Sequence, residues 1–350
     1  MKKILSVFLS LSLCAMMAAC GGQSSSAPAT PAAPASSGGN EAATPSVAAK
    51  TFKLGHSLTE SSAFHKACVK FKEIVEEKSG GSIGVEIYAN AALGSEGDMA
   101  EGLVMGTVDA ALIGPSSVSK LEPTFEVFNL PYLFRDNAHA DAVTMGEVGE
   151  HFKQSIYDAS GVRPLSFWES GFRHYSNNKH EINSPADMSG LLIRIPSSSV
   201  QAATLQALGA SSTNIATGEI YIACSNGTID GQESPIDTVI TSNFNEVQKY
   251  MVLDGHVYGV MGFLMNGKLF DSFTPEQQQL LMDAADEAGV YEREVRRTSE
   301  AEQLEKLKET MTINETPNKE EWKAAVQSVY DQYYDVFGRE LIEQIENTAA

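Results

Sequence analysis

The sequence predicts an α/β fold with mainly parallel sheets arranged in two lobes, and three observations favour this fold class. Strand-like and helix-like hydrophobic patterns alternate from residue 51 onward, as in parallel sheets with helices on their faces. Of the 350 residues, about 300 follow an N-terminal segment that cannot form a core, and that length favours two lobes over one. A helix of about 35 residues near the C-terminus would be roughly 50 Å long, which exceeds the width of one lobe.

The first elements follow directly from the hydrophobic period. Residues 51–56 alternate between apolar and polar side chains and predict a strand, and residues 64–75 repeat at helical spacing. Residues 83–87 alternate again, and a short helix is predicted from residue 95 to residue 106. The apolar run at 108–113 completes this region as a buried strand.

Further strands are predicted at residues 162–168, 191–195 and 257–265. The long helix begins with Thr274 as its N-cap, a proline at the first helical position and a glutamine that completes a capping box. Helix-favouring residues then continue to about Lys308. A coiled-coil dimer is the competing explanation, but polar residues interrupt an apolar heptad seam, so we expect a strut across two lobes.

The N-terminus predicts a lipoprotein signal peptide over residues 1–19. Lys2 and Lys3 precede an apolar stretch too short to span a membrane comfortably, and small residues lead to Cys20 and a Gly/Ser tract. This arrangement resembles a bacterial lipobox, so we expect lipidation of Cys20 and an extracytoplasmic, lipid-anchored protein. An ordinary secretory leader with a chance cysteine is the alternative. Residues 20–50 contain Ser, Ala, Pro, Gly and Thr and predict a disordered tether.

The two remaining cysteines and the charge limit the kinds of chemistry. Cys68 and Cys224 lie among apolar helical neighbours and are expected to be buried, with a disulfide between them as the alternative. The formal net charge is −20, and removal of Lys2 and Lys3 with the leader takes it to about −22. Such a surface excludes a nucleic-acid partner. A bound anion must therefore be held by a few local cations.

The sequence lacks complete motifs of common metal and nucleotide sites, and it lacks a hydrolase motif in the strand-to-helix context that such a site needs. The histidines and cysteines lack metal-ligand spacing, so no metal is expected. The glycine-rich stretch at 259–267 lacks the Lys-Ser/Thr pair of a phosphate loop and the G-x-G-x-x-G spacing. No G-x-S-x-G stretch follows a predicted strand and opens a helix, as the nucleophile elbow of a hydrolase requires. We expect neither a cofactor nor an enzymatic activity.

Seven short blocks in a fixed order resemble the solute-binding proteins of tripartite ATP-independent periplasmic (TRAP) transporters, of the C4-dicarboxylate-binding type. The resemblance extends from about Phe52 to Ile345. The blocks are FKEIVEEKSGG at 71–81, LGSE at 93–96, LPYLFR at 130–135, FWESGFR at 167–173, IRIP at 193–196, GTIDGQE at 227–233 and EVQKY at 246–250.

This resemblance implies a two-lobed periplasmic-binding-protein-like fold with a hinged cleft and a long helix spanning both lobes. We assign residues 51–171 and 260–299 to lobe I, and residues 172–259 and 300–346 to lobe II. The resemblance also implies that Arg194 forms a salt bridge with a ligand carboxylate and that Arg173 assists it. A guanidinium offers two parallel donors that match the two carboxylate oxygens. An internal ion pair with an acidic residue is the alternative for both.

Five further residues lie at positions that line the pocket in the family. Ser234 stands where many members have asparagine, and Thr217 stands where a large apolar residue is common. Both are smaller, which favours a bulkier hydroxylated acid such as a uronate or aldonate over a compact C4-dicarboxylate. Ser57, Glu96 and Ser197 complete the set, and each has the alternative of a turn or helix-cap role.

The sequence therefore predicts a binding protein that captures a small carboxylate and delivers it to TRAP membrane subunits. We expect a monomer that closes around its ligand and needs no nucleotide of its own. Two alternatives remain: a ligand-sensing lipoprotein that presents its cargo to a membrane signalling receptor, and a lipoprotein enzyme.

Overall fold

The computed structural model describes residues 50–350. The predicted signal peptide, the predicted lipidation at Cys20 and nearly all of the tether lie outside the described residues. Among the helices of residues 50–350, none combines the length and the apolar character needed to cross a membrane.

The described part of the chain contains a nine-stranded mixed sheet in which most pairings are parallel. The strands are β1 (Lys50–His56), β2 (Ile83–Tyr88), β3 (Ala110–Ile113), β4 (Val162–Asn177), β5 (Leu192–Ile195), β6 (Ser211–Asn214), β7 (Gly231–Ser234), β8 (Tyr250–Asn266) and β9 (Thr312–Asn314). Their order is β2-β1-β3-β8-β4-β7-β5-β6, with β9 beside β8.

Thirteen α-helices accompany the sheet in residues 50–350, together with four short 3-10 helices. The α-helices are α1 (Ala63–Lys78), α2 (Glu96–Met105), α3 (Pro115–Val118), α4 (Asn137–Thr144), α5 (Glu147–Ser160), α6 (Ser199–Ala207), α7 (Ile220–Ser225), α8 (Ile236–Thr241), α9 (Gly267–Asp271), α10 (Pro275–Lys308), α11 (Lys319–Ala325), α12 (Gln327–Phe337) and α13 (Arg339–Asn347). The 3-10 helices are Pro123–Asn129, Pro185–Met188, Thr217–Glu219 and Phe244–Glu246.

The two longest strands, β4 and β8, connect the two ends of the sheet. They pair antiparallel over nearly their whole lengths, with three register irregularities. Strand β3 pairs with β8 near the C-terminal end of β8, opposite residues 262–265. Strand β7 instead joins β4 near the C-terminal end of β4, opposite residues 174–177. The smaller strands are therefore divided into two groups that share β4 and β8, as in the two-lobed fold that the sequence predicts.

The predicted long helix is confirmed with both of its ends. Helix α10 begins after the Thr274 cap, where the capping box with Gln277 forms, and it continues for 34 residues. Its N-terminal half buries Leu281 and neighbouring alanines against α1, β1 and β3. Its C-terminal Leu307 packs in a different cluster with residues of α7 and α8. One helix thus contributes to two separate hydrophobic cores.

Several predicted strand boundaries are wrong. Strand β3 begins two residues later than predicted, at Ala110. Strand β4 continues to Asn177 and β8 begins already at Tyr250, although the predictions were 162–168 and 257–265. Polar residues and glycines interrupt the apolar pattern in these stretches, but mutual pairing of the two strands satisfies their backbone groups. The lobe boundaries at 171/172, 259/260 and 299/300 stay a prediction.

Cys68 and Cys224 are both buried free thiols. Burial raises the pKa of the Cys224 thiol to about 12, and it raises that of Cys68 further. The expectation of buried small side chains is confirmed, and the alternative of a disulfide between them is wrong.

Candidate functional site

A cavity lies where β4 and β8 pass from one group of strands to the other. Ser170 and Arg173 of β4 and Gly259 of β8 contribute to its wall. The two strands approach closely here, because a Cβ atom on Gly259 would come within 2.5 Å of Ser170 Cβ. The cavity encloses about 680 Å³ free of protein atoms, including the solvent at its mouth.

Arg194 enters the cavity from β5, between two buried isoleucines of the same strand. Side chains alternate across a strand, so the face opposite those isoleucines is directed towards the cavity. Arg194 is only 5% exposed. Its Nε donates to the carbonyl oxygen of Ile215 at 2.7 Å, and within residues 50–350 it makes no ion pair. Burial lowers the pKa of its guanidinium to about 10, although the charge of Glu233 acts in the opposite direction. The cavity wall therefore contains a buried cation that has no acidic partner within residues 50–350.

Arg173 reaches the same cavity from β4 but already has an acidic partner. Its Nε and Nη2 donate to the carboxylate of Glu233, and Nη2 also donates to the Glu233 main-chain oxygen at 2.7 Å. Burial alone would lower its pKa, but the charge and hydrogen bonds of Glu233, joined by the charge of Glu96, together outweigh burial and raise the pKa. The internal pair considered for this residue thus exists, and Arg173 also lines the cavity.

A buried chain of charged groups extends behind Arg173. His256 lies with Nε2 3.6 Å from Glu233 Oε2, a contact between charges that is longer than a hydrogen bond. Its Nδ1 donates to Asp254 at 2.8 Å, and its ring stacks on Tyr175 at 3.9 Å. Burial lowers the pKa of His256, but Asp254 and then Glu233 more than offset this and raise it to about 9. Correspondingly, burial raises the pKa of Glu233, while Arg173 and His256 lower it to about 2.

Glu96 enters the cavity from the first turn of α2. The capping box of Ser95 and Asp98 starts this helix and leaves the Glu96 carboxylate free to point elsewhere. Its Oε1 accepts from Ser57 Oγ at 2.6 Å and its Oε2 accepts from Gly114 N at 2.8 Å. Ser57 therefore reaches the site through Glu96 and is not itself part of the cavity wall.

The remaining predicted residues divide into two groups. Ser234, at the end of β7, and Thr217, in a 3-10 helix, line the cavity together with Arg173, Arg194 and Glu96. Ser197 does not join them, because it is exposed and lies on a shallow surface groove beyond Pro196. The structure thus brings together five of the seven predicted residues, places Ser57 behind Glu96 and leaves Ser197 outside.

Several polar residues of the site had no assigned role in the sequence prediction. Asn129, Gln201 and Thr238 line the cavity, and Glu233 and His256 lie behind it. Only Glu233 had a local signal, since it ends the block at 227–233. The register that places Glu233 opposite Tyr175 is a property of the assembled sheet and is not visible in the sequence. In the described residues, no group of three or more His, Cys, Asp or Glu side chains could hold a metal ion.

Comparison with known proteins gives one family and many similar structures. The family model described as bacterial extracellular solute-binding protein, family 7, matches residues 54–336. The 2,3-diketo-L-gulonate-binding periplasmic protein of Escherichia coli is 32% identical over 266 residues, which cover 76% of this chain and 81% of that protein.

Two solved structures illustrate the structural similarity. A TRAP periplasmic solute-binding protein from a Polaromonas species, bound to D-erythronate, has a TM-score of 0.84 and 29% identity, covering 86% of this chain and 99% of that one. A TRAP periplasmic solute-binding protein from Roseobacter denitrificans, with bound L-galactonate, has a TM-score of 0.81 and 34% identity, covering 86% and 99% of the two chains.

Proposed function

The chain belongs to the TRAP-type bacterial extracellular solute-binding proteins of family 7, and on that premise we propose that it captures a small organic acid and delivers it to TRAP membrane subunits. The acid is a C4-dicarboxylate or a sugar acid such as a uronate or an aldonate. Members of this family are binding components of transporters rather than enzymes, and they act outside the cytoplasm.

The observation that carries this proposal is the guanidinium of Arg194 in the cavity, which makes no ion pair within residues 50–350. An isolated buried cation is unfavourable unless an anion compensates it, so the site is more stable when a carboxylate is bound. A carboxylate also matches the planar pair of donors that the terminal nitrogens present. Arg173 stands beside it as a second, already neutralised donor group.

The proposed mechanism is closure of two lobes around the acid. Glu96 belongs to the predicted lobe I, whereas Arg173, Arg194 and Ser234 belong to the predicted lobe II. A ligand that contacts both groups binds the closed form more tightly than the open form and shifts the population towards it. The membrane subunits recognise the closed form, and an ion gradient drives transport, so the binding protein needs neither nucleotide nor metal.

We further propose that Cys20 carries a lipid that anchors the protein to the membrane, with residues 20–50 as a flexible tether. The sequence pattern before Cys20 supports this part of the proposal. The protein then acts as a monomer held close to its membrane subunits.

A thermal-shift screen of the purified protein against a library of organic acids tests the proposal. A ligand present at 100 times its Kd raises the free energy of unfolding by about 2.7 kcal/mol, which gives a clear increase in Tm. The Arg194→Ala variant should lose this increase, and Arg339→Ala, which changes an exposed arginine of α13, should retain it. If no carboxylate raises the Tm of the wild-type protein, the proposed function is wrong.

Delivery to an importer is tested separately from binding. Vesicles that contain TRAP membrane subunits from the same organism should accumulate the acid only when the binding protein is added and an ion gradient is imposed. Binding of the acid without any uptake would instead favour a sensor that presents its cargo to a signalling receptor.

A further inference from the structure

A chain of hydrogen bonds through four buried side chains connects the cavity to the main chain at Val247. Gln248 Nε2 donates to the Val247 carbonyl oxygen at 3.1 Å, and Gln248 Oε1 accepts from Ser176 Oγ at 3.2 Å. Ser176 Oγ in turn accepts from Gln232 Nε2 at 2.8 Å, and Gln232 Oε1 accepts from Ser234 Oγ at 2.5 Å. The four side chains are at most 2% exposed.

The direction of this chain follows from its anchor at the backbone. A carbonyl oxygen can only accept, so Gln248 must turn its amide nitrogen to Val247 and its amide oxygen to Ser176. The single hydroxyl proton of Ser176 is then donated to Gln248, and Gln232 must turn its nitrogen to Ser176. The amide oxygen of Gln232 therefore faces Ser234 and takes the hydroxyl proton of that residue. On the cavity side, Ser234 can accept a hydrogen bond but cannot donate one.

Glu96 imposes the same restriction from α2. An ionised carboxylate has no proton to donate, and its two oxygens already accept from Ser57 and Gly114. The hydroxyl proton of Ser57 is used in that contact. The free lone pairs of Glu96 thus accept from a ligand hydroxyl and repel a second carboxylate.

The charges of the cavity add a third restriction. Arg173 is neutralised by Glu233, and Arg194 is the cation of the cavity wall that makes no ion pair within residues 50–350. The negative charge of Glu96 acts on both arginines. Glu233 and Glu96 together balance the two arginines, so one ligand carboxylate paired with Arg194 already makes the site net negative, and a second would add a further negative charge to a largely buried site.

From these three restrictions we propose that the site selects a polyhydroxylated monocarboxylic acid over a dicarboxylate. Its carboxylate binds Arg194, and its hydroxyl groups donate to Ser234 and Glu96. Gln232, Ser176 and Gln248 act as positioning residues, because they hold the Ser234 hydroxyl in its accepting orientation without lining the cavity. This inference rests on the proposed function and narrows the class of acid.

Calorimetric titration with five acids tests the inference. D-galactonate, D-glucuronate and D-erythronate represent the hydroxylated monocarboxylates, and succinate and fumarate represent the dicarboxylates. Each acceptor left without a donor costs roughly tenfold in affinity, so the best hydroxylated acid should bind about 100-fold more tightly than either dicarboxylate.

Two variants separate the contributions of the acceptors. Glu96→Gln removes a charge and adds a donor, so the preference for the hydroxylated acid should decrease by about tenfold, with Glu101→Gln on the same helix as its control.

Ser176→Ala breaks the buried chain and allows Gln232 to turn its nitrogen to Ser234, which frees the Ser234 proton. The preference should then decrease about threefold or more, although residue 176 does not contact the ligand. Ser225→Ala, an exposed serine of α7, is the matched control.

The outcomes distinguish this inference from the proposed function. If a dicarboxylate binds most tightly, or if no hydroxylated monocarboxylate binds while another organic acid does, the inference is wrong and the proposed function stands. An unchanged preference in Ser176→Ala would contradict the role of the buried chain. If no carboxylate binds at all, the proposed function fails together with the inference.

Discussion

Replacement of Arg194 should be the most damaging single change to ligand binding. Arg194→Ala removes a buried guanidinium that has no acidic partner in the described residues, so the ligand carboxylate loses its compensating charge. The same variant removes the hydrogen bond to the Ile215 carbonyl oxygen. Truncation of one partner of a buried, hydrogen-bonded charge pair costs about 2–5 kcal/mol.

The expected loss in affinity follows from this range. Each 1.4 kcal/mol is a factor of ten, so Arg194→Ala should bind its ligand about thirtyfold to a few thousandfold more weakly. Arg194→Lys keeps the charge but loses the planar pair of donors, and it should recover only part of the affinity. Arg173→Ala should cost less at the ligand, because Glu233 already neutralises that arginine.

Calorimetry on folded variants measures these differences, with Arg339→Ala as the control for loss of an arginine elsewhere on the protein. Circular dichroism and Tm must first show that Arg194→Ala retains its fold. A folded Arg194→Ala variant that binds within threefold of the wild type would refute the reasoning, because the carboxylate would then be held by other groups.

Four further predictions concern stability, pH, motion and location. Gly289→Ala should lower the free energy of unfolding by about 1–3 kcal/mol in urea titrations, because the new Cβ would lie 2.8 Å from Trp168 Cδ1. At an exposed position in a helix, replacing glycine by alanine would instead raise the free energy of unfolding. A Gly289→Ala variant that is more stable than the wild type would therefore contradict the close contact between residue 289 and Trp168. Burial lowers the pKa of His256, but its carboxylate neighbours raise it to about 9, so its stabilising contribution is complete below about pH 6.5 and lost as pH rises through about 9. The free energy of unfolding should decrease over this interval, and it should decrease less in His256→Gln. If it falls equally with pH in both proteins, His256 is not stabilised as a cation by its carboxylate neighbours. Binding of the acid should reduce the radius of gyration in solution scattering, and an unchanged curve with confirmed binding would argue against closure. Cys20→Ser should abolish membrane association and fatty-acid labelling, and continued labelling would disprove the anchor.

Local sequence signals predicted the parts of the fold that local chemistry determines. Helix α10 could be predicted because its start depends on adjacent residues, from Thr274 to Gln277, and its length on the lack of breakers. The extension of β4 beyond Trp168 could not be predicted from the sequence, because the polar residues there are held in a strand by pairing with β8. Strand β6, with the polar sequence SSTN, likewise forms because β5 lies beside it.

The candidate site shows the same division. Arg194 could be singled out because the IRIP block at 193–196 resembles the TRAP family, and an arginine among apolar residues of a strand is costly to bury without a partner anion. The outward position of Ser197 was not predictable, since it depends on how the chain turns after Pro196. The accepting orientation of Ser234 depends on residues 176, 232 and 248, which are distant in sequence and meet only in the folded sheet.

A crystal structure of the protein with the acid that binds most tightly in the thermal-shift screen tests the central claim most directly. We predict that the ligand occupies the cavity between β4, β5 and α2, with its carboxylate oxygens within hydrogen-bonding distance of the terminal nitrogens of Arg194. A hydroxyl group of the ligand should lie against Glu96. A ligand found outside this cavity, or one whose carboxylate lies away from Arg194, would contradict the account.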